Sequence, residues 1–170
     1  MPSPGAPSGL CGASFGAVFR FDGNLVSIAA HQNWTPEIRQ ANERIFPMPP
    51  HPMSLVGRAI LEKRVMHIHD LAELGPEYPY RAIQQVMGGR SAVMVPMLRE
   101  DQPLGVISLY RQQVQPFSES EIELVKTFAD QAVIAIENVR LFKELQQRNA
   151  EVTEALGQQT ATATILRAIA

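Results

Sequence analysis

From Ser118 to Leu156 the chain contains neither proline nor glycine, and this run limits what it can fold into more than any other feature. Its start is marked at Phe117-Ser-Glu-Ser-Glu-Ile122. There Ser118 is spaced to cap the Glu121 amide while Glu121 reaches back, and Phe117 and Ile122 complete a hydrophobic staple. At about 1.5 Å per residue the helix spans roughly 57 Å, longer than the domain it leaves. Val125, Phe128, Ala129, Ala132, Val133 and Ile136 make its first part apolar enough to pack on a sheet and against a second helix. Further on, Phe142, Leu145, Asn149, Val152 and Leu156 recur at alternating intervals of three and four residues, the inner seam of a two-stranded coiled coil. Glu137, Arg140, Glu144, Arg148 and Glu151 alternate in sign off that seam and read as a solvated face. An antiparallel packing helix from the same chain is the alternative partner, but no other segment is long enough to cover the seam. A parallel homodimer is therefore expected, with Asn149 fixing register at some cost in stability.

The residues before the helix form short elements. Ser14 to Phe21 and Asn24 to Ala30 flank Asp22-Gly23 and read as a hairpin closed by a type I′ turn. Thr35 caps a helix from Pro36 to about Phe46, with Ile38, Ala41, Asn42 and Ile45 at helical spacing. After a proline-rich stretch, Ser54 caps a second helix through Leu55, Ile60 and Leu61. Val65 to His69 is a short strand with Met66 and Ile68 on one side and His67 and His69 on the other. Leu71 to Gly89 reads as loop and irregular helix. Ser91 to Arg99 and Pro103 to Tyr110 form a second hairpin around Glu100-Asp101-Gln102, with Pro96 at a bulge or a solvent-facing edge. The fold class is α+β: a mainly antiparallel sheet of five to six strands, flanked by helices.

A length of 170 residues suits one domain with an appendage. The net charge of −2 shows no basic excess for nucleic acid, and no apolar run approaches the roughly 20 residues of a membrane span. The single Cys11 cannot form an internal disulfide, so a cytoplasmic setting is expected. Residues 1–9, rich in Pro, Gly and Ser, read as disordered or as a truncation point. No serine-nucleophile elbow, phosphate-cradling loop or His-Glu-x-x-His pair is read, so no catalytic residue is assigned. His67, His69 and Asp70 have spacing compatible with a transition metal, but two imidazoles and one carboxylate fall short of a site, and no metal is assigned. Asp70 is instead expected to close the loop after the strand by accepting backbone hydrogen bonds.

Several segments together resemble the GAF domain, a small-molecule-sensing fold of bacterial signalling proteins and some phosphodiesterases. They are Leu10-Cys-Gly-Ala, Phe21-Asp-Gly23, Val56-Gly-Arg-Ala-Ile60, Val65-Met-His-Ile-His-Asp-Leu71, Arg90-Ser-Ala-Val-Met-Val-Pro96, Leu104-Gly-Val-Ile-Ser-Leu109, Phe117-Ser-Glu-Ser-Glu121 and Ala132-Val-Ile-Ala-Ile-Glu-Asn138. The likeness covers residues 10–142. Residues 143–170 then resemble the coiled-coil linker that opens a following domain in bacterial sensor histidine kinases. The resemblance implies a non-catalytic sensory module of a two-component signalling protein, and a first helix that precedes Leu10. It implies a buried structural role for Cys11, since a sulfoxide-reducing enzyme of this fold needs a second, resolving cysteine. Of the cyclic-nucleotide signature Asn-Lys-Phe-Asp-Glu only Phe117 and Glu121 match, with Arg111, Gln112 and Ser120 near the other places, and no Cys-His pair for a bilin is present. No cofactor is named. A ligand pocket is placed between the sheet and the loop of residues 71–90, walled by Tyr78, Tyr80, Ile83 and Met87, with Ile68, Val93 and Val95 beneath and Asp70, Arg90 and Ser91 as polar contacts. These residues either bind a small molecule or fill a closed core. The second functional reading is a dimerisation and relay spacer with no ligand of its own.

Overall fold

Local hydrogen-bonding chemistry sets most element ends in the computed structural model, which describes residues 10–170. The expectations for residues 1–9 lie outside the described residues. After a tight turn at Leu10–Gly12, strands β1 (Phe15–Phe21) and β2 (Val26–Gln32) form the first hairpin. Its loop has four residues, not the two of a type I′ turn. The Asp22 carboxylate accepts from the amides of Asn24 (2.9 Å) and Leu25 (2.8 Å), and this Asx arrangement outcompetes the tighter turn. The second hairpin, β4 (Ser91–Arg99) and β5 (Gln102–Arg111), closes more tightly than its sequence suggests. Glu100 and Asp101 both take positive φ, 47° and 65°, so the type I′ geometry occurs here without glycine and Gln102 already belongs to β5.

Helix α1 (Pro36–Glu43) starts at Thr35, whose hydroxyl accepts from Ile38 N–H, and α2 (Leu55–Glu62) starts at Ser54, which accepts from Gly57 N–H. Helix α1 stops short of Phe46 because the amides of Ile45 and Phe46 both turn back to the Asn42 carbonyl. Strand β3 (Met66–Ile68) and a 3-10 turn at Leu71–Leu74 follow. The segment read as irregular then holds a regular helix, α3 (Arg81–Met87), ended by Gly88 at φ 64°. The sheet is five-stranded and antiparallel throughout, in the order β2-β1-β5-β4-β3. Pro96 lies beyond Met94, the last β4 residue that β3 pairs, so its missing N–H falls where β4 is locally an edge, and the bulge comes just after it at Met97/Leu98.

Both faces of the sheet are covered. Ala17, Phe19, Ala92, Met94 and Val106 face α2 with Leu55, Val56, Ala59 and Ile60. Val93, Val95, Met97, Ile107 and Leu109 face the opposite way, toward Phe117, Val125, Ala129 and Val133. The last three belong to α4, which runs from Glu119 to Ile169 and passes through Gly157 without a break. Its capping box forms as spaced: Ser118 N–H donates to Glu121 Oε2 (2.8 Å) and Glu121 N–H to Ser118 Oγ (3.2 Å). The chain divides into two units, one ending at Val133 and the other running from Ile134 to Ala170. Within the second, Phe142, Leu145, Val152 and Leu156 are each more than half exposed.

Candidate functional site

On the α1–α3 side of the sheet a cavity of about 50 Å³ lies between Phe19 and Tyr110 of the sheet, Asn42 of α1 and Phe46 beyond it, Ser54, Leu55 and Val56 at the start of α2, and the segment of residues 71–87. Of the residues placed at a pocket from sequence, Tyr78, Tyr80, Ile83 and Met87 do line it. The others do not. Val93 and Val95 sit on the opposite face of β4, packed toward α4. Because β4 is central and apolar on both sides, alternation along it could not tell one face from the other. Ile68 packs against the α2-side core without reaching the cavity wall. Ser91 is fully buried, with its hydroxyl donating to His69 O (2.5 Å) and accepting from Gln115 N–H (3.0 Å), and so serves as a structural tie between β3, β4 and the β5–α4 connection.

Asp70 and Arg90 bind each other outside the cavity. Arg90 Nε and Nη2 donate to the two carboxylate oxygens at 2.9 and 2.6 Å, while Ala72 N–H donates to Asp70 Oδ1 at 3.0 Å. The expected loop closure by Asp70 is thus present, and the arginine adds to it. The Arg90 guanidinium, with help from the Ala72 amide, holds the Asp70 carboxyl at about 2. Since the folded value is depressed, this stabilisation is complete above the ordinary 3.8 and is lost as pH falls through about 2. An NMR titration of the Asp70 carboxyl carbon is expected to find its midpoint near that low value in the native protein. Arg90→Gln should raise it part of the way back, because the amide remains; an unmoved midpoint refutes the pairing.

The lone pair of His67 is also occupied. His67 Nε2 accepts from Phe117 N–H at 3.1 Å, burial followed by the charge of His69 pushes the His67 ring below its usual range, and the two rings meet edge to face at 4.7 Å. That spends the lone pair a metal would use. The letters Gly12-Ala-Ser-Phe-Gly16 do spell the serine-hydrolase pentapeptide. Ser14 leads into a strand, though, and does not join a strand to a helix, and its hydroxyl accepts from Gln112 N–H, so the structural context of a nucleophile elbow is missing.

A second cluster lies on the other face of β5. The Arg111 side chain is buried and donates to the carbonyls of Gln115 (3.1 Å), Pro116 (3.2 Å) and Cys11 (2.5 Å) and to Glu121 Oε1 (2.6 Å), while its guanidinium stacks 4.2 Å above the Phe117 ring. Cys11 is half-buried, a correction to the fully buried thiol expected, because its backbone takes φ 56° to deliver its carbonyl to Arg111. Its thiol donates to the Glu121 carbonyl at 3.6 Å and is pushed up chiefly by burial, which keeps it protonated and a weak nucleophile. Adjacent β5 residues therefore serve two faces: Tyr110 walls the cavity and Arg111 grips the first turn of α4.

A GAF domain family model matches residues 8–136. A search of curated proteins finds no match. Among solved structures, the chain is similar to a GAF domain/HD domain protein from Geobacter sulfurreducens, at 17% identity over 76% of this chain and 83% of that one, with a TM-score of 0.63. It is also similar to a domain of a protein from Sinorhizobium meliloti 1021 named as a two-component sensor histidine kinase, at 17% identity over 75% and 81% with a TM-score of 0.57. A type II free methionine-R-sulfoxide reductase from Thermoplasma acidophilum follows at 14% identity over 74% and 80% with a TM-score of 0.56. These likenesses are of fold, and the fold carries both regulatory modules and an enzyme. Five antiparallel strands in the order 2-1-5-4-3, helices on both faces, and a family model that spans the sheet from its first turn to α4 together assign it: the chain belongs to the GAF domain family of sensory and regulatory modules.

Proposed function

We propose that this is a non-catalytic input module of a cytoplasmic signalling protein, a two-component sensor histidine kinase, which binds a small molecule in the cavity and transmits its occupancy through a dimeric α4. The observation that carries the reading is the placement of Tyr110 and Arg111, one in the cavity wall and the next on the helix cap. A ligand that displaces Tyr110 moves the backbone that holds the first turn of α4, and an unbroken helix links that turn to the seam residues. The seam itself supports a second copy as partner: Phe142, Leu145, Val152 and Leu156 are solvent-exposed, Asn149 sits between them, and Arg140 is paired along the same helix with Glu137 and Glu144 at its flank. The likeness to the Sinorhizobium protein supports a kinase as the parent.

The small cavity favours a second reading, a relay spacer without a ligand. Thermal-shift screening against metabolites separates the two. The dimer is tested by sedimentation. The intact chain is expected to associate, and a chain ending at Arg140 to show a dissociation constant at least about tenfold higher, since the seam lies beyond that residue. Monomers of both lengths at the highest attainable concentration overturn it.

A further inference from the structure

We infer that the cavity takes a small, uncharged aromatic ligand bearing a neutral hydrogen-bonding group. The inference rests on the sensor reading and narrows it to a ligand class. Among the described residues lining the cavity there is no Asp, Glu, Lys, Arg or His. A charged ligand would leave water for a low-dielectric site with nothing of opposite sign to meet it. Arg81 and Arg90 line a neighbouring cleft that shares Leu71 and Gln84 with the cavity, and Arg90 is already paired with both oxygens of Asp70.

What the cavity does offer is neutral and directional. Asn42 is buried, and its Nδ2 donates to Ile38 O (2.9 Å), which leaves its carbonyl oxygen free to accept from a ligand. The Tyr110 hydroxyl donates to no described group, and burial pushes Tyr78 up to about 12 and Tyr110 up further, so both phenols stay protonated donors. The walls are aromatic. Phe19 and Phe46 meet at 4.8 Å, and Tyr78 and Tyr80 at 5.8 Å, so ring faces and edges line the space where a flat ring stacks. As it stands, about 50 Å³ holds only a few waters. A ring-sized guest must push back one wall, and α3 is the one least held: of its seven residues only Met87 is buried, and Gly88 at φ 64° ends it.

Benzamide and benzoate have nearly the same shape and differ in charge, so they test the class directly. Titrated into the full-length chain at millimolar concentrations and followed by amide NMR, benzamide is expected to shift residues 78–87 and Tyr110 and to bind about a hundredfold more tightly than benzoate. Ile83→Trp, which fills the mouth, is expected to abolish those shifts. If that variant does not fold, Tyr110→Phe, which removes one donor, is expected to weaken benzamide about threefold. Benzoate binding within threefold of benzamide overturns the inference and leaves the sensor reading intact. So does a blank for both compounds when a charged metabolite shifts the same residues, or benzamide shifts that fall elsewhere on the chain. A blank for every compound, charged and neutral, overturns the ligand half of the sensor reading as well.

Discussion

Gly105→Ala is expected to cost the fold about 4 kcal/mol or more. A Cβ at this position would clash with the Phe19 carbonyl oxygen and lie 3.1 Å from the Phe19 carbonyl carbon. The obstacle is the backbone of β1, which pairs with β5 here through Arg20 and Gly105. A side chain could swing aside, but the central strand pair can yield only by breaking its ladder. On its other side β5 has just passed the bulge opposite Met97/Leu98, so the sheet cannot shift away without losing register there too. Gly16→Ala is the control. Its Cβ would meet the Leu109 Cδ2 methyl at 3.1 Å, a flexible side-chain end, and about 1 kcal/mol is expected. Urea denaturation of the two variants measures the contrast, and comparable small losses in both refute the argument.

That glycine shows what could be read from the chain and what could not. Leu104-Gly-Val-Ile-Ser-Leu109 is visible as a pattern, but the reason for its glycine is a close approach to Phe19, 86 residues earlier. Helix starts were legible because their chemistry is local: Thr35, Ser54 and Ser118 each accept from an amide three residues on. Strands β4 and β5 were legible as runs. The direction of Val93 and Val95 was not, because a central strand buries both faces and its period carries no sign. The cavity was half legible. Its α3 side could be named from one aromatic-rich segment, whereas Phe19, Asn42, Ser54 and Tyr110 come from four separate elements joined only in the folded chain. Asn42 did leave a signal, a polar residue on the apolar stripe of α1. Arg111 stood near the signature positions in the sequence, but its burial and its bond to the Cys11 carbonyl, 100 residues away, were not legible there.

Arg111→Met is expected to lower stability by about 3 kcal/mol and the melting temperature by roughly 6–12 °C. Methionine fills similar volume without donors, so three carbonyls and the Glu121 carboxylate lose their hydrogen bonds while the apolar contact with Phe117 largely survives. Removing one partner of a mostly buried pair costs more than the pair itself contributes, though Glu121 keeps some access to water and the Ser118 amide, which limits the loss. The pH dependence isolates the carboxylate's share. Glu121 is held below the ordinary carboxylate range, first by the Ser118 amide and then by Arg111. Its contribution is therefore complete above the ordinary value of 4.5 and disappears as pH falls through the depressed one. The stability gap between native protein and variant should thus be widest near neutral pH and narrow in acid, as urea titrations at several pH values would record. A gap that stays constant would assign the cost to the three carbonyls alone. Arg111→Lys should recover only part of the loss, because one ammonium cannot reach four acceptors from two sides of a planar fork. Amide exchange gives the local readout. If Arg111 couples the cavity wall to the helix cap, protection in the variant should fall at residues 119–125 before it falls in β4, and uniform loss would reduce the residue to a contributor of global stability.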